Sequence, residues 1–191
     1  MKRIQSFFLF LMCMLLSNVH AQAVQYPEAG KKYQIVHSSG YLLTESGTTL
    51  KIDDASGATN QIFEFVPVDG VQGAYYIKLE STGKYVLNDG KWTPIWVDDP
   101  TGNAMAQFVI QDVDGTYIKF KNVGGSAYLG TDNNQAGGGV YTNKGGNDGK
   151  HYWSLQEPVD PKDMLQESIT SVKEFLQAIS VGENVGDYPQ E

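Results

Sequence analysis

The chain has 191 residues, of which 14 are basic and 22 acidic, and its formal net charge is −8 at pH 7. An acidic surface repels phosphate backbones, which excludes nucleic acid as a partner. The length suffices for one domain with a hydrophobic core and a short appendage.

The first 23 residues have the pattern of a secretory signal peptide. Lys2 and Arg3 precede an apolar run over residues 7–16, and the small residues Ala21 and Ala23 follow it. The run is too short to cross about 30 Å of hydrocarbon, so we expect no stable membrane span. We expect the protein to be secreted, periplasmic or held at the cell surface.

The single cysteine, Cys13, lies inside this segment, so the exported chain would contain none. An exported protein without disulfides is typical of bacteria, whereas small secreted eukaryotic modules are usually cross-linked by disulfides. Because no cysteine follows the cleavage site, a lipoprotein anchor is not expected.

Three copies of one pattern then follow. The segment 51–57 aligns without a gap on the segment 96–102, forty-five positions later. Aromatic residues close the copies at the same spacing, at Phe63, Phe108 and Trp153. A period of this length predicts one supersecondary unit repeated threefold.

Each copy has the pattern of short strands separated by Gly, Asn, Asp and Ser. Segments 75–79 and 116–120 alternate apolar and polar residues with the period of two that strands show. Tight turns are expected at 38–40, 81–83 and 124–126, where glycine tolerates a positive φ.

We predict an all-β domain over residues 26–157, formed as a β-trefoil of three repeats of about 43–45 residues. Six strands would form a closed barrel, and six would form hairpins that cap one end of it. A seven-strand sandwich has a similar spacing of turns, but it gives no reason for a threefold repeat.

After Pro158 the composition changes to that of an amphipathic helix, which we predict over residues 160–182. Asp160 is placed to cap its start, Pro161 suits the first helical position, and Gly182 suits its end. Apolar residues recur there at intervals of three and four positions. They are Leu165, Ile169, Val172, Leu176 and Ile179, with Phe175 beside them. Such an apolar face needs a partner to cover it.

Residues 183–191 form a tail that contains the turn-like segment 185–189. Helix and tail together resemble helical linker modules of secreted polysaccharide-degrading enzymes of gut bacteria, in which a returning helix follows such a turn. This resemblance suggests that the chain is truncated at Glu191 and is the front of a longer protein.

Residue types that carry catalysis are sparse after the signal peptide. The remaining histidines are His37 and His151, and neither a His-Glu-x-x-His nor a Gly-x-Ser-x-Gly signature occurs. The pairs Asp53-Asp54 and Asp98-Asp99 are adjacent strand residues that point to opposite faces. They therefore suit turn capping better than glycoside hydrolysis. We expect no catalytic residue, no enzyme activity and no cofactor.

A metal site is not expected either. Residues 132–137 begin like a calcium loop, with acidic, amide and glycine residues at the first, third and sixth positions. Ala136 stands where the fifth position requires an oxygen ligand, and Asn143 stands where the twelfth requires a bidentate glutamate, so the ligand set is incomplete.

The segment Asn60-Gln-Ile-Phe63 resembles the Gln-x-Trp signature of ricin-type β-trefoil lectins, with Phe in place of Trp. The threefold pattern extends this resemblance over residues 26–157. It implies a shallow sugar site in each repeat, with polar side chains for hydroxyls and an aromatic platform for the ring. The candidates are Asn60 and Gln61 in repeat one, Asn88, Asp89, Trp92 and Trp96 in repeat two, and Asp132, Tyr141 and Asn143 in repeat three.

Repeat two is the first candidate, with Trp96 stacking on the sugar and Asn88 and Asp89 binding hydroxyls. The alternative is that Trp96 covers the barrel edge and Trp92 packs against the helix. Repeat three is the second candidate, and glycines at 137–139 could let a ligand approach closely.

The resemblance thus predicts a non-catalytic carbohydrate-binding module that targets a secreted polysaccharide-processing protein to glycans. Two other classes stay open. One is a protein-binding trefoil, which would need a long exposed loop that the nearly equal repeats do not provide. The other is a structural spacer within a longer chain, which would bind no ligand.

Overall fold

A computed structural model describes residues 26–90, 93–145, 148–158, 166 and 169–177, with backbone alone at Asn143 and Lys144. The predicted signal peptide, Trp92 and the tail 183–191 lie outside these residues. Among the described residues, those from 26 to 157 belong to one compact unit and those from 158 onward to a second.

The first unit contains twelve short strands in three sets of four. They are β1 (Lys32–His37), β2 (Leu42–Ser46), β3 (Thr49–Asp53), β4 (Phe63–Pro67), β5 (Ala74–Leu79), β6 (Tyr85–Leu87), β7 (Ile95–Val97), β8 (Gln107–Asp112), β9 (Ile118–Asn122), β10 (Tyr128–Thr131), β11 (Val140–Lys144) and β12 (Trp153–Gln156). A 3₁₀ turn precedes the fourth strand of each set, at Thr59–Gln61, Ala104–Ala106 and Gly149–His151. These turns are 45 residues apart, as the sequence period predicts.

Six strands close into a barrel. The first and fourth strands of each set pair antiparallel, with Tyr33 opposite Phe63, Tyr75 opposite Phe108 and Ile118 opposite Trp153. Between sets, β4 pairs with β5, β8 with β9, and β12 with β1. This ring leaves no open barrel edge.

The second and third strands of each set form hairpins, β2–β3, β6–β7 and β10–β11. Six barrel strands and six hairpin strands in threefold order confirm the predicted β-trefoil. The sandwich alternative is wrong, because a single twelve-stranded sheet closes on itself here instead of two sheets packing face to face.

The repeated aromatic positions form the core. Phe63, Phe108 and Trp153 are fully buried, and the Trp153 indole Nε1 donates to the Leu129 carbonyl at 3.1 Å. Burial of an aromatic ring at the equivalent position of each repeat explains why the sequence repeats these residues at one spacing.

The second unit contains helix at Gln166 and over residues 169–177. Thr170 Oγ1 donates to the Gln166 carbonyl at 2.9 Å, one helical turn away. Its apolar side chains are exposed, with Val172, Phe175 and Leu176 more than half accessible. The predicted cap at Asp160 and end at Gly182 lie outside the described residues, within which no helix is long and apolar enough to cross a membrane.

Candidate functional site

The third repeat brings two predicted site residues into contact. Asp132 directly follows β10, Tyr141 lies on the paired strand β11, and Gly130 is its partner in the register. The Tyr141 hydroxyl donates to Asp132 Oδ2 at 3.3 Å. Asp132 is exposed and Tyr141 is half-buried. The hairpin therefore presents a carboxylate beside an aromatic ring at the surface.

Charge and burial determine the protonation state of Tyr141 beside Asp132. Partial burial, and then the neighbouring Asp132 carboxylate, raise the pKa of Tyr141, so its hydroxyl stays protonated at neutral pH. Lys150 Nζ donates to the Asp132 carbonyl at 3.0 Å, which places an ammonium group next to the same loop. A carboxylate and an ammonium group thus lie on the same loop as acceptor and donor, which a polyhydroxylated ligand requires.

The glycines at 137–139 pair with a neighbouring strand and do not line an open surface. Ile52 on β3 donates to the Gly138 carbonyl and accepts from the Gly137 amide, each at 2.8 Å. A Cβ on Gly139 would lie 3.1 Å from the Tyr141 hydroxyl. The missing side chain of Gly139 therefore leaves room for the Tyr141 hydroxyl. Strand β3 occupies the space beside these glycines, where the sequence predicted that a ligand could approach.

Two buried polar groups of repeat three have unused hydrogen-bonding atoms. Thr131 is fully buried with no partner for Oγ1, and His151 is buried with no partner for Nε2. The other ring nitrogen of His151 lies 2.8 Å from Asp148 Oδ1. In repeat one, Gln61 occupies the position of His151.

In repeat one the predicted amides hold the fold together. Gln61 is 1% exposed, and its Nε2 donates to Thr44 Oγ1 at 2.9 Å and to the Asp54 carbonyl at 2.7 Å. Its Oε1 accepts from the Ser56 amide and hydroxyl. Asn60 Nδ2 donates to the Glu45 carbonyl at 3.2 Å. Because Gln61 offers no polar atom to a ligand in this conformation, we omit it from the site proposed below.

In repeat two Asn88 is 2% exposed and faces inward. Its Oδ1 accepts from Thr142 Oγ1 at 2.9 Å, and its Nδ2 donates to Asn122 Oδ1 at 3.3 Å. Asn122 in turn donates to the Met105 carbonyl at 2.8 Å. Asn88 is therefore part of a buried network between repeats two and three, and its predicted contact with hydroxyls does not fit this position.

Trp96 lies on β7 opposite Val86, is partly buried and packs against the core. This packing corresponds to the alternative in which Trp96 covers the barrel edge, although part of the ring still faces solvent. Asp89 is half-buried just after β6. The side chain of Asn143 is not described, and Trp92 is outside the described residues.

One aspartate of each predicted turn-capping pair is held by a neighbouring residue. Asp53 Oδ2 lies 2.5 Å from Lys51 Nζ, and the hydrogen bond from Lys51 lowers the pKa of Asp53. Asp99 Oδ1 accepts from the Thr101 amide at 2.9 Å, and bonds from Thr101 lower the pKa of Asp99. Within the described ranges no three His, Cys, Asp or Glu side chains group as metal ligands.

Comparison with known proteins identifies the fold. No family model matches the chain, and no curated protein matches its sequence. A solved structure titled BEL β-trefoil matches with a TM-score of 0.59 and 16% identity over 69% of this chain and 96% of that one. The chain is a β-trefoil.

Two further solved structures are similar. The lectin of Polyporus squamosus bound to the human-type epitope Neu5Acα2-6Galβ1-4GlcNAc matches with a TM-score of 0.56 and 19% identity, over 69% of this chain and 50% of that one. A GH43 β1,3-galactosidase matches with a TM-score of 0.62 and 18% identity over 70% of this chain. This β-trefoil chain spans only 28% of that galactosidase's length.

Proposed function

We propose that this β-trefoil binds carbohydrate without catalysis, through Asp132 and Tyr141 of repeat three. The observation that carries the proposal is the Tyr141 hydroxyl held 3.3 Å from Asp132 Oδ2 on an exposed hairpin. The face of a pyranose ring presents C–H groups that suit an aromatic side chain, and its rim presents hydroxyls that suit a carboxylate.

We further propose that the protein is exported and targets a larger polysaccharide-processing protein to its substrate. The matching galactosidase, of which a trefoil is a minor part, supports this role by analogy. One neighbour is named a galactosidase, and another is a lectin bound to Neu5Acα2-6Galβ1-4GlcNAc, so galactose-containing glycans are the first sugars to test.

The test is binding of the purified chain to a glycan array rich in galactosides, followed by calorimetry with the best glycan. Replacing Tyr141 by Ala should weaken binding about tenfold, because an aromatic contact is worth on the order of 1 kcal/mol beyond buried area. Asp132→Asn should weaken it similarly by removing a charge-assisted hydrogen bond.

Tyr26→Ala is the matched control, since Tyr26 is a 50% exposed tyrosine outside repeat three. It should bind like the unmodified chain. Equal binding by all four proteins would remove repeat three as the site, and no binding to any glycan would contradict the carbohydrate function.

A protein-binding role is the second candidate, and the exposed apolar side chains of the helix favour it. Val172, Phe175 and Leu176 are 57%, 55% and 58% accessible, which is costly in water unless another apolar surface covers them. In that case the chain would bind no glycan, and substituting these residues by Ser would abolish association with the partner.

A further inference from the structure

An open cleft lies on the trefoil between repeats one and two, away from the repeat-three hairpin. It has a volume of about 400 Å³ and lies where the hairpin β2–β3 meets the hairpin β6–β7. Its lining includes Glu45, Thr48, Thr82, Lys84, Ile95 and Trp96. Asn88 and Asp89, although described, are not part of this lining. Trp96 therefore faces a different set of polar groups from the set that the sequence assigned to it.

The floor of the cleft is apolar and well supported. Trp96 packs against the barrel core from one side, and Ile95 beside it is 38% exposed. A ring already held in place by the core loses little side-chain entropy when a ligand stacks on it. The indole Nε1 is buried without a hydrogen-bond partner, so the ring presents carbon atoms rather than a donor to the cleft.

The rim of the cleft carries both hydrogen-bond acceptors and donors. Glu45 is half-buried on β2, and the Asn60 side chain fixes its backbone by donating to its carbonyl at 3.2 Å. Lys84 Nζ lies 3.5 Å from the highly exposed Asp98 carboxylate. Because an exposed ion pair contributes little free energy, Lys84 can turn to a ligand at small cost.

We propose that this inter-repeat cleft is a second carbohydrate site, for a neutral pyranose that stacks on Trp96 and bonds to Glu45 and Lys84. This inference rests on the carbohydrate function proposed above. A rim with one acid and one base suits hydroxyl groups, which both donate and accept. An acidic sugar is disfavoured, since Glu45 and the overall charge of −8 repel it.

Two sites on different repeats would give each chain two contacts with one polysaccharide. Repeat three supplies Asp132 and Tyr141, and the cleft draws its residues from repeats one and two. Once one site is occupied, the second binding step is intramolecular, which raises avidity without a new contact. A partner with repeated sugar units, rather than a single terminal sugar, fits this arrangement.

The experiment uses the ¹⁵N-labelled full chain carrying Asp132→Asn and Tyr141→Ala, which disables the repeat-three site. The probes are the methyl glycosides of galactose, glucose, mannose and N-acetylglucosamine. We expect at least one of them to shift the Trp96 indole resonance, which Trp96→Phe identifies. Adding Glu45→Gln should weaken that binding about tenfold by removing a charge-assisted bond, whereas Glu157→Gln should not change it.

The two proposals fail in distinguishable ways. If the unmodified chain binds a probe but the variant with the disabled repeat-three site does not, the cleft is not a site and the carbohydrate function stands. If the Trp96 resonance moves but Glu45→Gln has no effect, the assigned contacts are wrong. If the unmodified chain binds none of the probes and nothing on the array, both proposals are overturned.

Discussion

Ser126 has a left-handed backbone, with a φ of 53°, at the turn position that Gly40 and Gly83 occupy in the other repeats. Gly40 and Gly83 have φ values of 91° and 72°. An L-residue in this region costs about 1–2 kcal/mol, which glycine avoids at some entropic cost in the unfolded chain. One of the three equivalent turns is therefore strained where the others are not.

We predict that Ser126→Gly raises the free energy of unfolding by up to about 1 kcal/mol, because relief of strain exceeds the added flexibility. Gly83→Ala should lower it by about 1 kcal/mol. No atom lies within 4 Å of a Cβ built on Gly83, so this loss would come from the backbone alone. Urea unfolding of both variants is the measurement, and a destabilised Ser126→Gly would contradict the prediction.

At the scale of the structural element, the 3₁₀ turn of repeat one is joined to its neighbours by one side chain. Gln61 makes four hydrogen bonds, to Thr44, to the Asp54 carbonyl and to two atoms of Ser56. They connect the turn to β2 and to the segment after β3. In repeat two Ala106 holds the equivalent position and makes no side-chain hydrogen bond of this kind.

We predict that Gln61→Ala lowers the free energy of unfolding by about 2–3 kcal/mol, because it leaves buried partners unpaired. Glycan affinity of the folded protein should stay unchanged. Gln72→Ala is the control, since Gln72 is exposed, and its effect should stay within about 0.5 kcal/mol. If the Gln61→Ala protein folded but lost glycan binding, Gln61 would have to be a sugar-binding residue and the prediction would be wrong.

The hairpin residues differ in how far their contacts can be predicted from the sequence. The resemblance assigns Asp132 and Tyr141 to one site, and pairing within a single hairpin does bring them into contact. The resemblance to ricin-type lectins implies a contact between Asn88 and sugar hydroxyls, whereas Asn88 is buried. Its burial comes from Asn122 and Thr142, which are distant in sequence, so no local pattern indicates it.

At the scale of the whole molecule, the period of 45 residues was sufficient to predict the closed barrel. Phe63, Phe108 and Trp153 occupy equivalent buried positions, which only a threefold arrangement explains. The inter-repeat cleft was not predicted. Glu45 belongs to repeat one and Trp96 to repeat two. Aligning the repeats shows which residues are equivalent, but it does not show which residues of neighbouring repeats come into contact.

Barrel closure depends on β1 pairing with β12, where His37 lies opposite Trp153 in the register. The His37 ring contacts the Trp153 ring edge-on, with centroids 5.0 Å apart, and is 1% exposed. Its Nδ1 accepts from the Ser39 amide at 3.2 Å. Ser39 Oγ lies 2.7 Å from the same nitrogen, and Nε2 is buried without a hydrogen-bond partner. A proton on Nδ1 would break the bond from the Ser39 amide.

Burial lowers the pKa of His37 below its ordinary value and outweighs the backbone hydrogen bonds at Lys150 and Gly149, which raise it. In the unfolded chain His37 would take up a proton at about pH 6.5, whereas in the folded protein it stays neutral to a lower pH. The unfolded state then binds more protons, so stability falls as the pH drops below about 6.5.

We predict that the free energy of unfolding is constant from about pH 8 to pH 7 and decreases below about pH 6.5, before general carboxylate protonation begins. His37→Asn should be less stable at pH 8, because it loses the ring contact with Trp153. It should also depend less on pH, since no proton is taken up at that position. Urea titrations across this range measure both slopes. If the free energy of unfolding of His37→Asn kept the same slope against pH, the proton would be taken up by another group. The pH dependence of stability would then not arise from His37.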